Sequence, residues 1–196
     1  QASRKLLNKK SLRATSRRQG VAYMHDLFVK RHWRLLWNPA LILTGLSVCL
    51  TIAVCFFLYR VPELRKELQG TLGRVLPLSV FIMYLLNRGL SFTQSLYINC
   101  DHSLLTFSFY KERGTILKLF VRRLRSIVLV NLLPAVVIAL GLVIVYAVAG
   151  GITDPLAYAA VFLTIPSLSV FFSVHYLMLY YLLQPYNAAT EIKSPA

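Results

Sequence analysis

Residues able to do chemistry are few and scattered. The four histidines, His25, His32, His102 and His175, are far apart, and Cys49, Cys55 and Cys100 form neither a C-x-x-C pair nor a disulfide framework. The chain has no G-x-x-x-x-G-K-[ST] phosphate loop, no H-E-x-x-H zinc helix and no G-x-S-x-G nucleophile elbow. Catalytic residues and a metal site are therefore not expected here, and no resident cofactor is. The long apolar runs contain no Asp or Glu that could relay protons or hold a cation, which argues against a proton- or sodium-coupled transporter. A channel is not supported either, because neither a pore loop nor a ring of charge is visible.

One segment, residues 99–113, does combine polar and apolar groups in a usable way. Asn99, Asp101 and His102 precede an apolar patch of Leu104, Leu105, Phe107, Phe109 and Tyr110, with Lys111 and Arg113 beyond. Asp101 is placed to cap a short helix starting at His102. Such a helix is either a docking element for a partner or a lipid-surface helix with no partner, and spacing alone does not separate the two.

The elements around this segment follow from composition. Hydrophobic residues make up 57% of the chain and charged residues only 15%, against about 25% charged in ordinary soluble domains. Mean hydropathy is +0.59. Such a surface needs lipid rather than water against it. The net charge is +15, from 22 Lys+Arg and 7 Asp+Glu. The basic residues concentrate in 4–34 and 111–125, each beside an apolar run, as at the cytoplasmic flanks of membrane helices. No nucleic-acid-binding motif accompanies them.

Four spans are expected, at about 38–59, 74–98, 127–149 and 156–183. The first is the clearest, because Pro39–Tyr59 carries no charge and Pro39 suits a first helical turn. Ten basic residues precede it, which places residues 1–37 inside; the 60–74 loop, with four basic and two acidic residues, falls outside. The 99–126 loop and the 185–196 tail return to the cytoplasm. Within 1–37, Val21–Trp37 alternates aromatic and basic residues in the manner of an interfacial helix, a reading preferred over packing on a cytoplasmic domain. In the second span, Asn87-Arg88-Gly89 interrupts the apolar run. Either the span lies between Arg74 and Arg88, with both snorkelling, or Arg88 is buried in the bilayer; the first is preferred. Ile116, Leu117, Leu119, Phe120 and Leu124 against Lys118, Arg122, Arg123 and Arg125 make an amphipathic helix leading into the third span. The fold class is therefore all-α: a polytopic helical membrane protein of the cell membrane, with both ends cytoplasmic.

The order of these parts resembles the permease subunit of type-2 ABC exporters of Gram-positive bacteria. The resemblance is carried by the basic interfacial helix, the loop Asn99-x-Asp101-x-x-Leu104-Leu105-x-x-x-Phe109-Tyr110, the basic stretch before the third span, and the tail residues Gln184-Pro185-Tyr186 and Lys193-Ser194-Pro195. It implies an elbow helix at Val21–Trp37 and a coupling helix at about Asp101–Tyr110 that seats in a groove of an ATP-binding subunit. Leu105 and Phe109 would fill that groove, with Asp101, Lys111 and Arg113 at its rim. ATP and Mg would belong to that partner, where hydrolysis occurs, so the chain is not an enzyme by itself. A second permease half or dimer partner is also implied. Family permeases have about six spans, and the chain starts at Gln1 without a Met, so a piece of a longer polypeptide is expected. Candidates for a substrate path are Arg88, Asn131, Ser169, Ser173 and His175, although such residues more often bond helix to helix. The competing reading is a non-transport scaffold that recruits a cytoplasmic partner through the same loop. A membrane-embedded lipid enzyme is disfavoured for want of paired polar residues.

Overall fold

Long apolar runs without charge have one stable solution in lipid, a helix that satisfies its own backbone. The computed structural model follows this rule. It describes residues 15–69, 72–104, 107–150 and 155–186, and every regular element in them is helical. In chain order these are α1 (Val21–Arg31), α2 (Trp33–Arg60), α3 (Pro62–Gln69), α4 (Leu72–Leu86), α5 (Gly89–Leu96), a π-helical turn Tyr97–Asp101, the one-turn α6 (His102–Leu104), a 3-10 turn Ser108–Lys111, α7 (Arg113–Val148) and α8 (Pro155–Leu183). Three helices, α2, α7 and α8, are long and apolar enough to cross a membrane.

Several boundaries differ from expectation. The interfacial helix ends at Arg31, not Trp37, because His32 leaves helical geometry at φ −104° and ψ 18°. The His32 backbone N–H still donates to the Phe28 carbonyl at 3.0 Å, and its ring Nδ1 lies 3.0 Å from the same oxygen. Trp33–Trp37 instead opens α2, so Pro39 lies inside that helix rather than at its first turn. The expected second span, 74–98, is two helices broken at Asn87–Arg88. The Asn87 N–H still closes on the Met83 carbonyl at 3.0 Å, while its side-chain Nδ2 donates to the Ser169 carbonyl at 3.3 Å. With 15 residues, α4 reaches about 22 Å, short of the ~30 Å hydrocarbon core. In contrast, the basic stretch 116–125 and the third span do form one helix, α7, of 36 residues.

The residues divide into two compact units. The first comprises 1–39, 88–129 and 173–196; the second comprises 40–87 and 130–172. The first has an apolar core that includes Phe28, Leu96, Ile127, Leu177 and Tyr186. In α7, Leu119, Arg123, Ile127 and Val130 are buried, a stripe with three- and four-residue spacing. The second unit has a smaller core around Leu58, Val145 and Ala149. Only 6% of the apolar window of α2 is buried, and Leu41, Ile42, Leu46, Leu50, Ile52, Phe56 and Phe57 are exposed. Monomeric soluble proteins do not expose apolar surface on that scale.

Candidate functional site

The strongest polar feature is a buried ion pair in a cage of tyrosines, entirely within the first unit. Asp101 closes the π-helical turn, Tyr110 lies in the 3-10 turn, Arg123 is on α7, and Tyr180 and Tyr181 are near the end of α8. Arg123 grips Asp101 bidentately: Nη1 donates to Oδ2 at 2.7 Å and Nη2 to Oδ1 at 2.5 Å. The Tyr110 hydroxyl donates to Oδ1 and that of Tyr180 to Oδ2, each at 2.5 Å. A carboxylate has about four lone-pair positions, so Asp101 is saturated. The remaining Nη protons of Arg123 go to the hydroxyl oxygens of Tyr181 at 2.7 Å and Tyr110 at 3.0 Å. Arg123 also lies 5.7 Å from the Tyr181 ring centroid.

Burial is nearly complete: Arg123 is 2% exposed and Asp101 3%. Two charges survive there only because every facing group is a donor or acceptor of the right kind. Burial pushes the Tyr110 phenol well above its ordinary range despite the nearby Arg123, so it stays a proton donor to Asp101. Burial also raises the Cys100 thiol to about 11, which keeps it protonated and a poor nucleophile. A cavity of about 310 Å³ lies against the cluster, lined by Tyr97, Asp101, Tyr110, Ile116, Tyr180, Tyr181 and Gln184. Gln184 has φ 42°, in the left-handed region that favours glycine.

A second polar contact in this unit joins α1 to α7: His25 Nε2 lies 2.8 Å from Ser126 Oγ. Burial, then the charges of Arg123 and Arg122, lower the His25 pKa to about 4, so the ring is neutral at ordinary pH. Burial likewise lowers the His32 pKa.

Of the residues singled out from the sequence, the structure brings together Asp101 and Tyr110. The Asp101 carboxylate is spent on Tyr110, Arg123 and Tyr180 rather than on a helix cap. Asn99 is exposed and bonds the Ser95 carbonyl oxygen at 2.9 Å. His102 is exposed and meets the Tyr97 ring edge-on. Leu104 is half-buried, and Arg113 is exposed at the start of α7. Leu105 and the side chains of Phe109 and Lys111 lie outside the described residues. The described part of Asp101–Tyr110 is three short turns of different kinds, not the single helix expected. Arg88 is half-buried at the break between α4 and α5. Asn131 and Ser169 are buried in the second unit, Ser173 is buried in the first, and His175 is exposed.

The sequence pattern groups Arg123 with the basic face of its helix and gives Tyr180 and Tyr181 no distinguishing signal. A signal for Arg123 existed, since its register matches Leu119 and Ile127 whereas Arg122 and Arg125 fall off that stripe. No group of three or more His, Cys, Asp or Glu that could hold a metal occurs among the described residues. The fold and site thus define an all-helical protein with three candidate membrane-crossing helices and one buried charge cluster. Comparison with known proteins finds no matching family model, no matching curated relative and no matching solved structure.

Proposed function

We propose that this chain is the membrane-embedded permease part of an ATP-driven exporter of the ABC type, moved by a separate ATPase that docks on the segment around residues 99–113. The observation that carries the reading is the Asp101–Arg123 pair. A docking segment can drive transport only if its motion reaches the spans without being absorbed by flexible backbone. Here the segment 97–111 is bonded to α7 through Arg123 and to α8 through Tyr180, Tyr181 tying α8 to Arg123 itself, and both helices are candidate spans. α4 and α5 together would make the fourth crossing, with Arg88 at their break, and both chain ends would be cytoplasmic. The exposed Asn99, His102 and Arg113 would meet the ATPase directly, while Asp101 and Tyr110 act behind them.

The test is purification of the tagged chain from its native membrane, followed by reconstitution into liposomes. A stoichiometric nucleotide-binding subunit and ATPase activity that depends on the chain are expected. Charge-reversing Arg113→Glu, exposed and outside the cluster, should weaken subunit association. An ATPase-free preparation that recruits some other cytoplasmic protein through residues 99–113 would instead favour a scaffold.

A further inference from the structure

We infer that the cavity of about 310 Å³ against the Asp101–Arg123 pair is a binding site for a small, uncharged aromatic molecule that carries a hydrogen-bond acceptor, such as an aryl ketone. This goes beyond the exporter reading and does not rest on it, because every wall of the cavity belongs to the first compact unit.

Size and wall chemistry select an aromatic occupant. A closed apolar cavity of about 150 Å³ already holds benzene, so this larger space suits a two-ring molecule. Tyr97, Tyr110, Tyr180 and Tyr181 line it, and Ile116 adds an aliphatic patch. Water fills such a space poorly, since each water needs several polar partners and most of this wall is ring and aliphatic carbon. A flat ligand can meet the tyrosine rings stacked or edge-on, as Tyr180 and Tyr181 meet each other at 87° with centroids 5.5 Å apart.

The ion pair selects against charge. Asp101 is the one Asp, Glu, Lys or Arg in the lining, and its carboxylate already accepts from Arg123, Tyr110 and Tyr180. A cationic ligand would find no unused carboxylate lone pair and would meet Arg123 behind it. An anionic ligand would meet Asp101, with the guanidinium committed to Asp101, Tyr110 and Tyr181. Either would give up its hydration without gaining a counter-charge.

The unused donors call for an acceptor. The Tyr181 hydroxyl accepts from Arg123 at 2.7 Å, yet its own proton has no acceptor among the described residues. Accepting from a guanidinium makes that O–H a stronger donor. The Gln184 carboxamide, also at the wall, has no hydrogen-bond partner among the described residues either. Gln184 holds φ at 42°, and strain of this kind in a non-glycine residue gathers at ligand clamps.

The full chain in nanodiscs would be dialysed against methyl naphthyl ketone, ethylnaphthalene, naphthoate or naphthylmethylammonium. I116W fills the cavity from a residue that has no bond to the ion pair, so the difference between wild type and I116W removes simple partition into lipid. Saturable uptake of the ketone by wild type and its loss in I116W are expected. Ethylnaphthalene should bind several-fold more weakly than the ketone, and the two charged analogues more weakly still. Y181F should weaken the ketone about fivefold and leave ethylnaphthalene unchanged, a split that a merely structural role would not produce. That split also tests the site without relying on the bulkier side chain at 116. Gel filtration and the unfolding temperature check that each variant folds. Equal uptake of the ketone by wild type, I116W and Y181F would mean partition alone and overturn the proposal. Naphthoate or naphthylmethylammonium binding as tightly as the ketone would overturn the uncharged class.

Discussion

Arg123 and Asp101, 22 residues apart in sequence, share two parallel hydrogen bonds of 2.7 and 2.5 Å in a site almost closed to solvent. Bidentate geometry is the form in which a buried ion pair best offsets its desolvation. Its main effect is conditional: intact, the pair contributes little net stability; with one partner missing, a charge is stranded. D101L and R123M should therefore each lower stability by about 3–5 kcal/mol, and D101L/R123M should lose much less than their sum. Thermal unfolding of the detergent-solubilised variants measures the cycle, and strict additivity would show that the two groups do not interact.

Tyr180 supplies the donor to the second carboxylate oxygen at 2.5 Å. Y180F keeps the ring and its packing while removing only this bond. A hydrogen bond to a charged group contributes about 1.5–3 kcal/mol, and a loss of that size is expected in the same unfolding assay. Y181F removes an acceptor of Arg123 rather than a donor to Asp101, so its cost should be smaller, because the guanidinium keeps its carboxylate and the Tyr110 hydroxyl.

Much of the fold was readable and much of the cluster was not, for a physical reason. Charge-free runs of more than twenty residues admit one structure in lipid, so α2, α7 and α8 follow from local composition. The break at Asn87 was visible as an interruption, yet its outcome depends on the Ser169 carbonyl 82 residues away. Asp101 looked like a helix cap because capping is a local property, whereas its actual partners are 9, 22 and 79 residues distant. Arg123 sits in a run with Arg122 and Arg125, and only the register of the buried stripe separates it from them. Tertiary partners that share no period with the chain leave no pattern in it.

Two helical glycines should respond oppositely to the same added methyl. At Gly89 a Cβ would overlap the Tyr176 ring, so G89A should cost about 1–3 kcal/mol through overpacking. At Gly45, inside α2, nothing lies within 4 Å of the added atom. There alanine's better helix propensity acts alone, and G45A should be neutral or stabilising by up to about 1 kcal/mol. Comparable losses in both variants would contradict the packing at Gly89.

The buried His25 gives stability a pH dependence with a definite sign. Its pKa is lowered to about 4 in the folded chain from 6.5 unfolded, because burial and the nearby Arg123 and Arg122 oppose its charge. Between those values the unfolded chain binds more protons than the folded one, so stability rises with pH across that window and falls as pH drops from 6.5 toward 4. Protonation would also leave the cation near two arginines, with only Ser126 as a bonded partner. The unfolding temperature at pH 4.5 should therefore lie below that at pH 7.5, and H25Q should flatten the slope in this range. If the slope persists undiminished in H25Q, other groups carry the acid sensitivity and the ring is not held neutral against α7.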